Sequence, residues 1–405
     1  MQIDVPTKLA ATAVATDAPF VVSADVNCIE VEARPTRRAF FATVAALCTG
    51  LLAPKSASAQ KIHRPKGRPS TPAVSSLSKD ILAAPSEWSS AVTRLLRRIS
   101  YSPSANDVAT ARTLGFHEYV EQQLNYGAID DSAVETFVAA NYPLLGQTTD
   151  QLFGAKAAVV QAQLQEATLY RAAMSNRQLY ERTVELWSQH FNIYFLKVGY
   201  LRAIDLRDVI RANAMGSFRD LLYASAQGGA MIAYHDQHIS RSGAPNENYA
   251  REIMELHTLG VSGGYTQTDV AEMSRVLTGW TIAGRGDFAF NPDIHDWGEK
   301  SVLGVAIPAG SPAIGAAGIK EGERMLDVLL AHPSTATFIA TKMLRWFIAY
   351  DPSPEQIAAV AATYTATSGD IKAMLRTTLN PEWLVAAPMK HKRPFHFVAS
   401  CLRAT

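Results

Sequence analysis

The sequence predicts a mainly α protein: a multi-helix single domain over 87–405, with at most a small β-hairpin or sheet in 281–316. Three observations lead there. Apolar residues recur at helical spacing over most of the chain beyond Ser86. Alternating, strand-like runs are scarce, the best being 288–290 and 302–307, both inside that irregular region. With 405 residues, 48% hydrophobic and 19% charged, the chain also has apolar material for a large core.

The first helix follows from Ser86, a capping residue, after which Trp88, Val92, Leu95, Leu96 and Ile99 keep one face. Helical patterns continue over 104–125, 131–174, 177–196, 204–227 and 246–260. They resume over 266–280, 318–330, 333–349, 354–366 and 368–379. The helix from Thr266 opens with Asp269 as its capping partner and carries Glu272 and Arg275 one turn apart. There is no internal repeat at a fixed period.

Ahead of this domain the chain carries an address. Thr36-Arg37-Arg38-Ala39-Phe40-Phe41 sets an arginine pair before an apolar run over 39–53. The run is shorter than the roughly 20 residues a bilayer span needs. Ser56-Ala57-Ser58-Ala59 then supplies a small-residue cleavage site. Residues 1–59 are therefore expected to be a twin-arginine signal peptide, cleaved after Ala59, with the twin-arginine translocase as a transient partner. The mature protein is expected in the periplasm or outside the cell, behind a flexible Pro/Ser-rich leader over 60–86. Cleavage would remove Cys28 and Cys48, leaving Cys401 without an internal disulfide partner. No later segment reaches 18 apolar residues, so no membrane span is expected in the mature chain. Formal net charge is +1 and no stretch of the body is rich in Lys and Arg, so nucleic acid is not an expected partner.

Polar residues concentrate over 234–300. On a helical wheel, Asn248, Arg251, Glu252 and Glu255 share one face, with Tyr249, Ile253, Leu256 and Gly260 opposite. Two carboxylates at i, i+3 beside a guanidinium could hold a divalent metal ion or share a proton. The plainer reading is a solvated face with Arg251 and Glu255 as an i, i+4 pair. His257 falls toward the apolar side and reads as a core histidine. His295-Asp296 lies in the irregular region, and His235 and His238 add an i, i+3 pair without an HExxH pattern. Gly260-Val261-Ser262-Gly263-Gly264 matches G-x-S-x-G literally, but a helix rather than a strand precedes it, so Ser262 is expected to be a turn residue.

As an ordered set these segments resemble a bacterial domain-of-unknown-function family, number 1800. The resemblance is carried by Asn246-Glu247-Asn248-Tyr249-Ala250-Arg251-Glu252, Glu255-Leu256-His257-Thr258-Leu259-Gly260-Val261, Gly264-Tyr265-Thr266-Gln267 and Leu277-Thr278-Gly279-Trp280. Leu95-Leu96-Arg97-Arg98, Trp187 with His190-Phe191, His295-Asp296 with Gly298 and Lys300, and His332-Pro333 with Thr335-Ala336 agree in order, so the resemblance covers about 88–403. It implies an exported, largely helical protein without an assigned reaction, and an exported sulfatase-like partner. Two departures stand out. Tyr234-His235-Asp236-Gln237 replaces the family's Tyr-Leu-Asp-Asn, and the chain stops at Leu402-Arg403-Ala404-Thr405 within a helical pattern where relatives continue, which could leave the last helix unpacked.

Two functions fit. One is a metal-assisted hydrolase of an envelope or extracellular polymer. Glu252, Glu255 and His295 would do its chemistry, Arg251, Asn248 and Lys300 would hold substrate, and Asp236, Glu252 and Glu255 would surround a divalent cation. The other is a non-catalytic export or assembly factor that binds the exported sulfatase-like partner, its polar residues forming a structural network. Convergence of Asp236, Arg251, Glu252, Glu255 and His295 around an open pocket would favour the first, and a closed, paired network the second.

Overall fold

A computed structural model describes residues 91–404. The expected signal peptide, the leader, and Ser86 and Trp88 of the first helix lie outside the described residues. The domain is helical, as its periodicity predicts, and its boundaries fall where backbone chemistry interrupts that period. Helix α1 (Ala91–Ile99) buries Leu95, Leu96 and Ile99. The pattern over 104–125 splits into α2 (Ala105–Leu114) and α3 (Phe116–Leu124) at Gly115, whose φ of 85° an α-helix cannot contain. Ser104 and Asp107 close a capping box on α2. The pattern over 131–174 likewise breaks into α4 (Ser132–Asn141), short turns after Pro143, and α5 (Ala157–Met174).

Helix α6 (Gln178–His190) runs through the middle of the core and buries Leu179, Leu186 and Trp187. It is followed by α7 (Phe218–Ala226) and α8 (Gln267–Val276). The C-terminal third brings α9 (Ile319–Ala331), α10 (Pro333–Phe347), α11 (Pro354–Thr367) and α12 (Ile371–Thr378). Helix α10 packs on α11 and α11 on α12, while α9 lies against α7 and α10. One continuous apolar core joins these elements, with Trp187, Phe218, Trp280 and Phe347 wholly inside it. Two segments, Asp205–Arg211 and Ile253–Thr258, are π-helical. Among the described residues no helix is long and apolar enough to cross a membrane.

The irregular region holds two hairpins rather than one. Strands β1 (Trp280–Ala283) and β2 (Asp287–Phe290) pair antiparallel, with Trp280 opposite Phe290. Strands β3 (Lys300–Val302) and β4 (Val305–Ile307) do the same, with Lys300 opposite Ile307. The second turn sets Leu303 at φ 51° and Gly304 at φ 75°, the two-residue geometry that matches strand twist. Leu303 tolerates that conformation because its N–H donates to Asp269 Oδ1 at 2.6 Å. The first hairpin is pressed so close to helix Gly229–Tyr234 that a Cβ on Gly229 would lie 1.9 Å from the Gly286 carbonyl oxygen.

The last helix, α13 (Pro394–Ala404), corrects one expectation: it is packed. His396, Ala399 and Ser400 are buried, and Tyr101, Ala172 and Ala399 form a small apolar cluster. Arg403 donates to Asp107 at 2.8 Å and to the carbonyls of Ala173 and Ser175 at 2.9 Å.

Candidate functional site

The polar segment begins as expected. Asn246 caps the helix by accepting from the Asn248 N–H, and Glu247–Glu252 is α-helical. From Ile253 to Thr258 it becomes a π-helix. The wider turn rotates every later side chain away from its α-helical position. Tyr249 and Ile253 are fully buried, as the wheel requires, but Leu256, placed with them, is 42% exposed. His257 takes its inward place and is buried against Phe191, ring centroids 5.0 Å apart. His257 is thus a core histidine, and its carbonyl receives the hydrogen bond of His190 Nε2 at 3.0 Å. Burial, with some repulsion from Lys342, pushes His190 down to about 3 and holds it neutral.

The predicted residues separate into distinct networks. Arg251 donates to Gln267 at 2.7 Å and lies 3.6 Å from Glu247, not beside Glu255. Glu255 instead accepts from the Tyr265 hydroxyl at 2.9 Å. Asn248 Nδ2 meets Nδ1 of buried His235 at 3.2 Å, and that ring stacks on Tyr249. Burial, then Lys197, lowers His235 to about 4. Asp236 stands in the left-handed region at φ 56° and ion-pairs with Lys197 at 2.8 Å. Glu252 is half-buried, and burial followed by the charge of Glu255 raises its carboxyl above the usual range. Asp236, Arg251, Glu255 and His295 are each drawn to a separate partner, Glu252 pairs with none of them, and the five do not join one network. Among the described residues no three His, Cys, Asp or Glu side chains are grouped to hold a metal ion. His235 is buried and His238 exposed, so their spacing makes no pair. The Gln237 amide, in the family's Asn position, is buried and donates to the Leu277 carbonyl at 2.6 Å. Ser262 is exposed in the turn after the π-helix, with no strand before it.

His295 and Lys300 do meet, at a residue the sequence analysis did not single out. Glu321, from the first turn of α9, places Oε2 at 2.9 Å from Lys300 Nζ and 3.3 Å from His295 Nε2. Both basic side chains are fully enclosed. Lys300 also donates to the Gly298 carbonyl at 2.8 Å. His295 Nδ1 donates to the Thr278 carbonyl oxygen at 2.6 Å. Burial pushes the Glu321 carboxyl up, but His295 and Lys300 outweigh it and hold it below its ordinary value.

A second clamp adjoins it. Arg275 on α8 grips Asp296 through Nε at 2.8 Å and Nη2 at 3.1 Å, and its Nη1 reaches both oxygens of Glu272 at 2.9 Å. The Arg275 hydrogen bond holds Asp296 below the usual carboxylate range. Glu272 accepts from the Ser301 N–H at 3.1 Å, and Asp269 from that of Leu303. The acids of α8 thus satisfy the backbone of the second hairpin, and Glu321 fastens its first strand to α9. Helical spacing put Glu272 beside Arg275, but nothing local marked Glu321 or Lys197, whose partners come from other elements.

A family model described as a protein of unknown function (DUF1800) matches residues 94–405. No curated protein and no solved structure matches the chain.

Proposed function

The chain belongs to the DUF1800 family, described as proteins of unknown function, and on that premise we propose that it acts, once exported, as a non-catalytic assembly factor that binds a protein partner. One observation carries this reading: most polar residues of the motif region are spent on one another in separate networks, and those of Glu272, Arg275 and Glu321 hold the second hairpin to its neighbouring helices. A hydrolase needs base, electrophile and substrate access at one place. Here the half-buried Glu252 stands apart from His295, which is enclosed with Lys300 behind Glu321. The motif helix instead offers a contact surface, where Glu252 is followed by the exposed apolar Leu256 and Val261. Exposed apolar side chains beside polar ones are what a partner's surface recognises. An exported sulfatase-like protein is the partner to try first.

The mature protein and its Leu256→Asp, Val261→Asp variant should be compared for co-purification with that partner, and screened for hydrolysis with and without chelator. Loss of co-purification with unchanged melting supports binding through this face. Turnover that Glu252→Gln removes would replace this reading with the hydrolase.

A further inference from the structure

The fold gathers cations from two places far apart in the chain, the arginines of α1 and the run Lys390-His391-Lys392-Arg393. Helix α1 lies against the segment that leads into α13, and Arg98 donates to the Pro388 carbonyl across 290 residues of sequence. Between them opens a groove of about 1290 Å³. Arg94, Arg98, Arg182, Lys390, Lys392 and Arg393 all line it, and among the described residues no Asp or Glu does.

Among the described residues, most of these charges have no carboxylate partner. Arg94 donates to the Ala387 carbonyl at 2.9 Å, and Lys390 to that of Trp346 at 2.6 Å. Lys392 donates to the Ser400 hydroxyl at 2.7 Å, and Arg393 to the Gln189 side-chain carbonyl. Carbonyls and hydroxyls orient a cation without neutralising it. Among the described residues Arg182 alone of the six meets a carboxylate, Glu185 at 2.5 Å. Burial, reinforced by the charges of Arg182, Arg98 and Arg393 and opposed by Glu185, lowers Lys390 to about 7.

Shape and ring exposure narrow the ligand. The groove exceeds the roughly 300–1,000 Å³ of small-molecule pockets, which suits an extended chain. Its apolar lining includes Val92, Leu96 and Met389, the last 98% exposed. Bases need open aromatic faces to stack on, and here Trp346 and Tyr101 offer none, while the half-exposed Tyr350 already carries Lys390 4.8 Å from its ring centroid. Arg182 and Arg393 lie 4.8 and 4.7 Å from the ring centroid of Trp346, which is 6% exposed, and Arg182 also covers Tyr101. Carboxylates alternating with apolar side chains match what remains.

We propose that this groove is the docking site for an extended acidic peptide segment of the protein partner, its carboxylates held by Arg98, Lys392 and Arg393 and its apolar side chains by the floor. The inference rests on the partner-binding reading but uses a surface separate from the motif helix.

A short fluorescein-labelled peptide of Asp-Glu-Leu repeats, titrated with the mature protein, tests it by anisotropy. The peptide should bind, weaken as salt rises, and lose at least about tenfold in affinity against Arg98→Glu, Arg393→Glu. Circular dichroism checks that this variant folds, and the salt series on the wild type stands without it. Equal binding of a Lys-Lys-Leu peptide, or tighter binding of a thymidine oligonucleotide or a sulfated oligosaccharide, would overturn the proposal. So would an acidic peptide that fails to bind at low salt, even where the motif face still captures its partner. If the peptide binds while that capture fails, the motif-face reading falls and the groove stands.

Discussion

Replacing Glu321 by Ala should be among the most damaging single changes in this protein. Its carboxylate is the ion partner of Lys300, whose side chain is fully enclosed, and it also faces His295. Removing one partner of a buried pair leaves a charge that neither water nor protein solvates, at a cost of about 3–5 kcal/mol. Each kcal/mol moves the melting point of a domain of this general size by roughly 2–4 °C or somewhat less. Glu321→Ala should therefore melt roughly 5–15 °C below wild type in calorimetry at neutral pH. The effect should be specific to the unpaired ammonium. Lys300→Met with Glu321→Leu removes both charges, leaves His295 its bond to the Thr278 carbonyl, and should recover much of the loss. Two results would refute the reasoning: a Glu321→Ala loss under about 1 kcal/mol, or a double variant no more stable than the single.

The pH dependence of stability has a defined sign at this site. Asp296 and Glu321 are both held below the ordinary range when folded, so their stabilisation is complete above about pH 4.3 and is lost as pH falls further. Arg275→Gln should flatten that acid limb in urea titrations. Glu252 has the opposite sign, since its raised carboxyl takes up protons in the folded state first. Glu252→Gln should leave the melting point at pH 7 unchanged or slightly higher, and a clear drop would mean that the carboxylate is structurally paired. Lysine at both Arg37 and Arg38 should leave uncleaved precursor in the cytoplasm on fractionation, and normal export would sink the twin-arginine assignment. Ser262→Ala should be neutral in stability and binding. Labelling of wild type but not of that variant by a fluorophosphonate would restore the serine-hydrolase reading.

The fold was legible because helices announce themselves by local period, and their ends by local chemistry. Gly115 and Pro143 mark the two places where long predicted stretches break, and both carry backbone constraints visible in the sequence. The alternating runs fell on β2 and on β3 with β4, but at most one hairpin was expected, and β1 begins at Trp280, ahead of the expected region. The packing of helix α13 went unread because it is held from outside: Arg403 bonds Asp107 and the carbonyls of Ala173 and Ser175 at the end of α5, a set that no local pattern encodes.

The candidate site was legible only as far as an α-helical wheel holds. Asn248 and Tyr249 precede the π-turn, and both behave as drawn: one meets His235 and the other is buried. Leu256 follows Ile253 and is displaced outward, while His257 is buried as its place toward the apolar side requires. The wheel fails at Leu256, inside the wide turn. The same displacement has a functional side, because it turns Leu256 to the surface on the helix that carries the unpaired Glu252. π-Turns are locally unfavourable and recur where function needs them. This one carries an apolar surface residue and a core histidine whose carbonyl is fixed by His190 at 3.0 Å. His190→Phe keeps the ring but removes that hydrogen bond. The segment should then tend toward a regular α-helix that turns Leu256 inward, and partner capture should weaken while the domain still folds. Capture that survived this change would show that the exposed Leu256 does not depend on the wide turn.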